Sequence, residues 1–333
     1  MLSALLTSAP SLPPLTPTRW LSSWSLDLPV LVLVLALAGL YLAGVASVRR
    51  SGASWPVSRL LWFLVAGLGS VVVVTMSFLG SYNRVLFWPL AVQDVLLLTV
   101  PPLGLTLGRP VALKMSARPP AASRRLRPSR ALARALSFPL TGSLLATGLL
   151  LVIYTTSWQQ VRLEHAGQLE LSHLLLVAAG CLFLWPLLGV DHSSGNTSYG
   201  VRTVIAFLDG LLDALPGIAV LATGHVIAGV YYRGVNRQWG PSLLQDQRIG
   251  GTAMVALSEL VGLPTLLIVL VQWVRTDALK ALVVDANLDV VQAAEAAAAG
   301  QDSTGQGLQR PWWELDPSRL SYRAQQRQRN RQP

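Results

Sequence analysis

The chain is poor in cysteine, in histidine and in charge. Its 333 residues include one cysteine, Cys181, and four histidines. A single cysteine excludes an intramolecular disulfide framework and any Cys-x-x-Cys metal site. Charged residues make up 13% of the chain, whereas a soluble domain carries about 25%. The deficit is concentrated in long apolar runs, which is typical of an integral membrane protein.

Acidic residues are missing from one long stretch in which basic residues are abundant. No Asp or Glu occurs from residue 95 to residue 163, and eight Lys or Arg lie between the third and fourth apolar runs. The net charge of +10 is compatible with nucleic acid as a partner. A basic cytoplasmic loop that contacts anionic lipid headgroups explains the charge better. We therefore predict membrane lipid, and no nucleic acid, as a partner.

The apolar runs predict an all-α polytopic membrane protein with about seven transmembrane helices. Each run is close to the roughly 20 residues that cross a bilayer. They cover residues 28–48, 60–79, 85–107, 138–156, 169–190, 203–231 and 251–273. The predicted organisation is an N-terminal segment over 1–27, a membrane domain over 28–274 with a basic loop at 108–137, and a tail over 275–333.

The basic residues of the loops predict the orientation. Cytoplasmic loops carry the excess of Lys and Arg. With the basic loop inside, alternation places fourteen basic residues inside and six outside, and six more follow in the tail. We expect the N-terminus outside, the C-terminus in the cytoplasm, and the protein in the bacterial inner membrane. The N-terminus has no basic residue before Arg19, so it does not have the charged start of a secretory signal.

Several polar side chains fall at a similar depth near the predicted outer leaflet. Asp94 is the most unusual, because an acid at membrane depth costs roughly 2.5–3.5 kcal/mol and needs a partner, a cavity or a site. The residues at that depth are Met76, Asp94, His165, His173, His225, Asp246 and Met254. Imidazole and thioether groups suit copper, and a carboxylate can bind the metal or orient a histidine. The predicted metal donors are His173, Asp94, His225 and Asp246.

Each of these residues also has an ordinary structural explanation. A histidine at such a position can make a structural hydrogen bond or lie exposed, and Met76 and Met254 can be packing residues. A second polar feature is the pair Asp209 and Asp213, whose i, i+4 spacing puts both carboxylates on one helix face. Two ionised acids there would repel each other, so one must be protonated or paired. The pair indicates a proton or cation path, or a buried structural pair.

Three blocks of sequence resemble the CtaG family of the caa3 type, bacterial membrane proteins implicated in cytochrome c oxidase assembly. The first block is VQDVLLLTVPPLGLTLGRPVAL over 92–113, and the second is ELSHLLLVAAGCLFLWPLLGVD over 170–191. The third is WGPSLLQDQRIGGTAMV over 239–255, and the tail stretch RPWWELDPSRL over 310–320 resembles actinobacterial members. No catalytic signature such as Gly-x-Ser-x-Gly occurs in the chain.

The resemblance implies an assembly factor without enzymatic activity, with oxidase subunits as partners and a role in copper-centre maturation. His173, Asp246 and Gln247 match the family pattern. At the outer end of span three the family usually has two histidines four residues apart, where this chain has Leu90 and Asp94. A carboxylate is a harder ligand than imidazole and a poorer one for Cu(I).

Two other functions stay open on the sequence. One is a metal-free structural partner of a respiratory complex. The other is an ion transporter that uses Asp94 and the pair Asp209 and Asp213, because intramembrane acids mark ion pathways.

Overall fold

The computed structural model describes residues 12–116, 139–187 and 199–298. These residues are mostly helical and contain no strand, which confirms the all-α prediction for this part of the chain. The helices are α1 (Pro17–Ser22), α2 (Leu28–Arg50), α3 (Val57–Leu61), α4 (Ser70–Met76), α5 (Phe78–Tyr82), α6 (Phe87–Leu107), α7 (Pro110–Ser116), α8 (Pro139–Thr155), α9 (Trp158–Glu164), α10 (Ala166–Leu187), α11 (Tyr199–Asp213), α12 (Leu215–Ala222), α13 (Gly229–Val235) and α14 (Leu243–Ala298). A π-helical stretch, Trp62–Gly69, joins α3 to α4.

Several helices are long and apolar enough to cross a membrane. Four meet that test in the described residues: Leu28–Arg50, Val57–Tyr82, Phe87–Ser116 and Ala166–Trp185. A fifth span arises if the bent pair Thr141–Thr155 and Trp158–Glu164 is counted as one. The chain is therefore a membrane protein, while the count of seven spans and the sides of the termini stay predictions. Most of the basic loop and the tail beyond residue 298 lie outside the described residues.

Helix α6 is the central helix of the bundle. Of the most apolar stretch of this span, 61% is buried inside the molecule, whereas for α2 the buried share is 17%. Helix α6 therefore packs mainly against other helices of the protein, and most of α2 does not. Pro101 and Pro102 lie inside α6, yet the helix continues to Leu107. A proline removes one backbone hydrogen bond, and neighbouring helices make this tolerable in membrane helices.

Two glycines let other helices approach α6 closely. A Cβ atom at Gly104 would overlap the Gly67 amide nitrogen and the Ala66 carbonyl carbon of the π-helical stretch. A Cβ atom at Gly180 of α10 would overlap the Leu98 carbonyl oxygen. Small residues at such crossings allow backbones to meet, which is how helices pack in membranes. Gly104 and Gly180 therefore allow the π-helical stretch and α10 to pack closely against α6.

The fourth predicted span is bent sharply at its end. Helices α8 and α9 form an angle of 77° across a break of at most four residues. The short α9 turns its buried side toward the core, where Gln159, Arg162 and Leu163 lie fully enclosed. This bend puts a guanidinium group inside the bundle.

The sixth predicted span, residues 203–231, is not one continuous helix, and the prediction is corrected here. It is interrupted at Ala214 and again over residues 223–228. Ala228 has a left-handed backbone with φ of 51°, a conformation that interrupts a right-handed helix. Apolar composition predicted a span over this stretch, but composition does not determine the backbone conformation of each residue.

The chain divides into two compact units. The first covers Met1–Val274 and contains the apolar helices and all the contacts described below. The second covers Arg275–Pro333, and its described part, up to residue 298, is helical.

Candidate functional site

Asp94 forms a buried ion pair with Arg162. The guanidinium contacts both carboxylate oxygens, with Nη2 2.5 Å from Oδ2 and Nη1 3.1 Å from Oδ1, and both side chains are fully buried. The Tyr154 hydroxyl donates to Asp94 Oδ2 at 2.6 Å, and Arg162 Nε donates to Gln159 Oε1 at 2.8 Å. A bidentate pair with further hydrogen bonds is the geometry that makes a buried charge tolerable. Asp94 thus has a protein partner for its charge.

The sequence identified Asp94 and missed its partner. Arg162 is one of the six basic residues that alternation places outside, and only the bend between α8 and α9 brings its side chain into the core. Nothing in the local sequence marks Arg162 as the partner of Asp94, since the two residues are 68 positions apart.

Asp246, another predicted metal donor, holds the start of α6. Its two carboxylate oxygens accept hydrogen bonds from the amides of Phe87 and Trp88, at 3.0 and 3.1 Å. Arg237 Nη2 lies 3.3 Å from Oδ2. The first amides of a helix have no partner within the helix, and a carboxylate there also interacts favourably with the helix dipole. Asp246 therefore serves as a cap supplied from another part of the chain.

Gln247 supports the break in the sixth predicted span. Its Oε1 accepts from the Ile227 amide at 2.7 Å, and its Nε2 donates to the carbonyls of His225 and Val220 at 3.1 and 3.4 Å. Backbone groups that leave a helix inside a protein need such partners. Asp246 and Gln247, two of the three positions that match the family pattern, thus both stabilise backbone.

The other residues of the predicted outer cluster do not come together in a single metal site. His225 and His165 are exposed, and His165 Nδ1 lies 3.1 Å from the Val161 carbonyl. Met76 and Met254 are buried in two different apolar clusters. Within the described ranges no group of three or more His, Cys, Asp or Glu side chains is placed to hold a metal ion. The structure therefore does not assemble the predicted donors into one site.

His173 differs from the rest because it lines a cavity. It is 5% exposed, and neither ring nitrogen makes a hydrogen bond. Glu170, one turn earlier on α10, has Oε2 3.8 Å from His173 Nδ1. The cavity has a volume of about 520 Å³ and lies where the start of α2, helix α5 and the start of α10 meet. Asp27 and Arg84 also line it.

Asp27 links this cavity to the start of α2. Its Oδ1 accepts a hydrogen bond from the Val30 amide at 3.2 Å, as expected of an N-cap. Its carboxyl lines the same cavity as the carboxyl of Glu170. Burial raises the pKa of Asp27, the Val30 hydrogen bond lowers it, and the neighbouring Glu170 carboxyl raises it. Sequence reasoning missed Asp27 and Glu170, although the Glu-x-x-His spacing of Glu170 and His173 was a readable signal.

The acidic pair of α11 is only partly described. The side chain of Asp209 lies outside the described residues. Asp213 accepts a hydrogen bond from Thr147 Oγ1 of α8 at 3.5 Å. The proposed proton or cation path through this pair stays a prediction.

Comparison with known proteins identifies the family. The model of the cytochrome c oxidase caa3 assembly factor family matches residues 39–276. The chain belongs to the caa3 assembly factor family. The resemblance drawn from the three sequence blocks is thereby confirmed, and the matched range contains Asp94, Arg162, His173 and Asp246.

The curated relatives are mycobacterial. The chain is 29% identical to an uncharacterized protein of Mycobacterium tuberculosis (strain CDC 1551 / Oshkosh) over 274 residues, which is 79% of this chain and 41% of the relative. An uncharacterized protein of Mycobacterium leprae (strain TN) is 28% identical over 270 residues, 78% of this chain and 40% of the relative. The chain thus spans less than half the length of these relatives. No solved structure matches it at a significant level.

Proposed function

We propose that this protein assists the assembly of cytochrome c oxidase in the bacterial cell membrane, without catalysing a reaction itself. The observation that carries the proposal is the family match across residues 39–276. The helices that are long enough to cross a membrane support the proposal, because they would allow this protein to contact oxidase subunits within the bilayer. The proposed partners are cytochrome c oxidase subunits.

The geometry supports a rigid membrane scaffold better than a transporter. Asp94, the acid that an ion pathway would use, is held by two guanidinium nitrogens and a tyrosine hydroxyl. An ion that replaced the guanidinium at Asp94 would leave Arg162 buried and unpaired, which is strongly unfavourable. The scaffold also leaves most of α2 unburied, so that lipid or a helix of an oxidase subunit can cover it.

Copper-centre maturation is the finer form of the proposal, and the predicted donors do not support it. Both carboxylate oxygens of Asp94 and of Asp246 are engaged by nitrogen donors within the protein. His225 is exposed and stands in no group of three metal-binding side chains among the described residues. We therefore derive no copper step through these residues, and the support for copper-centre maturation is the family resemblance.

Deletion of the gene, with complementation by the full chain, tests the proposal. We expect the deletion strain to lose oxidase activity and the complemented strain to regain it. Copper per haem in the purified oxidase distinguishes the two forms. A low ratio supports copper-centre maturation, and a normal ratio in a reduced amount of oxidase supports a metal-free structural role. Normal amounts of fully metallated oxidase without the gene would refute both.

A further inference from the structure

The cavity at the start of α10 has the features of a ligand site. His173 is about 95% buried and has no hydrogen bond at either ring nitrogen. A buried imidazole whose ring nitrogens make no hydrogen bond is costly, because those nitrogens have lost their hydrogen bonds to water. A ligand in the cavity of about 520 Å³ would remove that cost. A ligand that binds to imidazole nitrogen would therefore be stabilised in this cavity.

The second group of the site is a carboxylate at a suitable distance. Glu170 Oε2 lies 3.8 Å from His173 Nδ1. In metal sites the bonds to imidazole nitrogen and carboxylate oxygen are each about 2.0–2.2 Å, so the two bonds together span about 4.1 Å. Because 3.8 Å is shorter than that sum, one ion between the two atoms can bond to both. A Glu-x-x-His pair on one helix face is also a recurrent metal-binding arrangement.

The charges of the cavity favour a cation over an anion. Asp27 and Glu170 contribute two carboxyl groups, and Arg84 contributes one guanidinium. Asp27, at the start of α2, lines the same cavity as Glu170, so carboxyl groups outnumber the guanidinium two to one. Arg84 lowers the attraction for a cation without reversing it.

We propose that this cavity binds a divalent transition-metal ion through His173 and Glu170. An imidazole suits zinc, copper, iron and nickel, whereas the carboxylate is a hard donor and disfavours Cu(I). No third His, Cys, Asp or Glu in the described residues completes the coordination shell, so the site is open and the remaining positions fall to water. Structural zinc sites are closed by four protein ligands, whereas catalytic sites keep a position for water or substrate. The proposal stands on the cavity alone and does not depend on a role in oxidase assembly.

Metal binding to the purified full-length protein tests this inference. Zn²⁺ is the probe, in detergent and without an affinity tag, with equilibrium dialysis as the measurement. We expect one Zn²⁺ per chain, and an affinity lowered roughly 10-fold or more by His173→Gln and by Glu170→Gln. The matched control is His225→Ala, which removes an exposed histidine that is not part of the cavity lining and is expected to bind as the parent does.

Each other outcome overturns the inference. No Zn²⁺ bound by the parent protein, or full affinity retained in either cavity variant, would remove the site. Thermal unfolding of both variants shows whether they are folded. X-ray absorption at the zinc edge of the parent needs no variant, and a first shell without an imidazole would equally refute the proposal. Cu(I) bound more tightly than Zn²⁺ would refute the divalent class.

Discussion

At the scale of single residues, the buried charges of this protein are paired rather than free. Asp94 and Arg162 are both fully buried and share two contacts, and Tyr154 adds a third donor to the carboxylate. Burying two ions is costly, and their attraction offsets the cost only when the remaining polar atoms are also satisfied. The sequence predicted that Asp94 needs a partner, and we expected a metal. The structure gives an arginine instead.

Replacement of Arg162 tests this account. Arg162→Met leaves Asp94 buried without its cation, and we expect the free energy of unfolding to fall by roughly 3–5 kcal/mol. Equilibrium unfolding of the purified protein in detergent measures the change. The matched control is Arg248→Met, which removes an exposed arginine and is expected to cost little. The double variant Asp94→Leu with Arg162→Met should recover most of the loss, and a double variant no more stable than Arg162→Met would contradict the account.

At the scale of helices, α6 is fixed in place by contacts at both of its ends. Near its start, Asp246 caps the amides of Phe87 and Trp88. Toward its end, Gly104 lets the π-helical stretch approach so closely that a Cβ atom would overlap its backbone. Apolar composition predicted the helix correctly, but a sequence does not show which glycine lies at a crossing. The structure distinguishes such glycines from those that face open space.

Two alanine substitutions separate these cases. Gly104→Ala is expected to destabilise the protein by roughly 1–3 kcal/mol, because the backbone of Gly67 and Ala66 cannot move aside without cost. Gly39→Ala on α2 is the matched control, since nothing lies within 4 Å of the added methyl group there. It should be neutral or slightly stabilising, as alanine is the better helix former. Thermal unfolding of the two variants side by side gives the comparison, and equal stability of both would show that the crossing is looser than the structure indicates.

At the scale of the whole molecule, orientation rests on the distribution of basic residues. Fourteen Lys and Arg fall on the predicted inner side, including Arg275 and Lys280 at the start of the tail, and six fall on the outer side. The difference comes mainly from the basic loop, whose residues would be costly to move across a bilayer. The predicted sides of the membrane follow from this charge distribution.

Cysteine labelling tests the orientation. In a Cys181→Ser background, Ser22→Cys reports on the N-terminal segment and Ser123→Cys on the basic loop. We expect a membrane-impermeant maleimide to label Ser22→Cys in intact cells, because the positive-inside rule places this segment outside. Ser123→Cys should react only after the cells are permeabilised. The reverse pattern, or labelling of both positions from outside, would contradict the predicted topology.

The sequence by itself determined the membrane class, the positions of most helices, the basic loop and the family. These depend on local properties: hydropathy over about 20 residues, charge in one loop, and the order of short blocks. The tertiary structure alone decided which polar groups meet. The guanidinium that pairs with Asp94 lies 68 positions away, and the Phe87 amide that Asp246 caps lies 159 positions away, so no local pattern encodes these contacts. Helix packing also decides the 77° bend, the break in the sixth predicted span and the cavity around His173. A given apolar stretch can adopt more than one backbone conformation, and the packing of the whole molecule selects one of them.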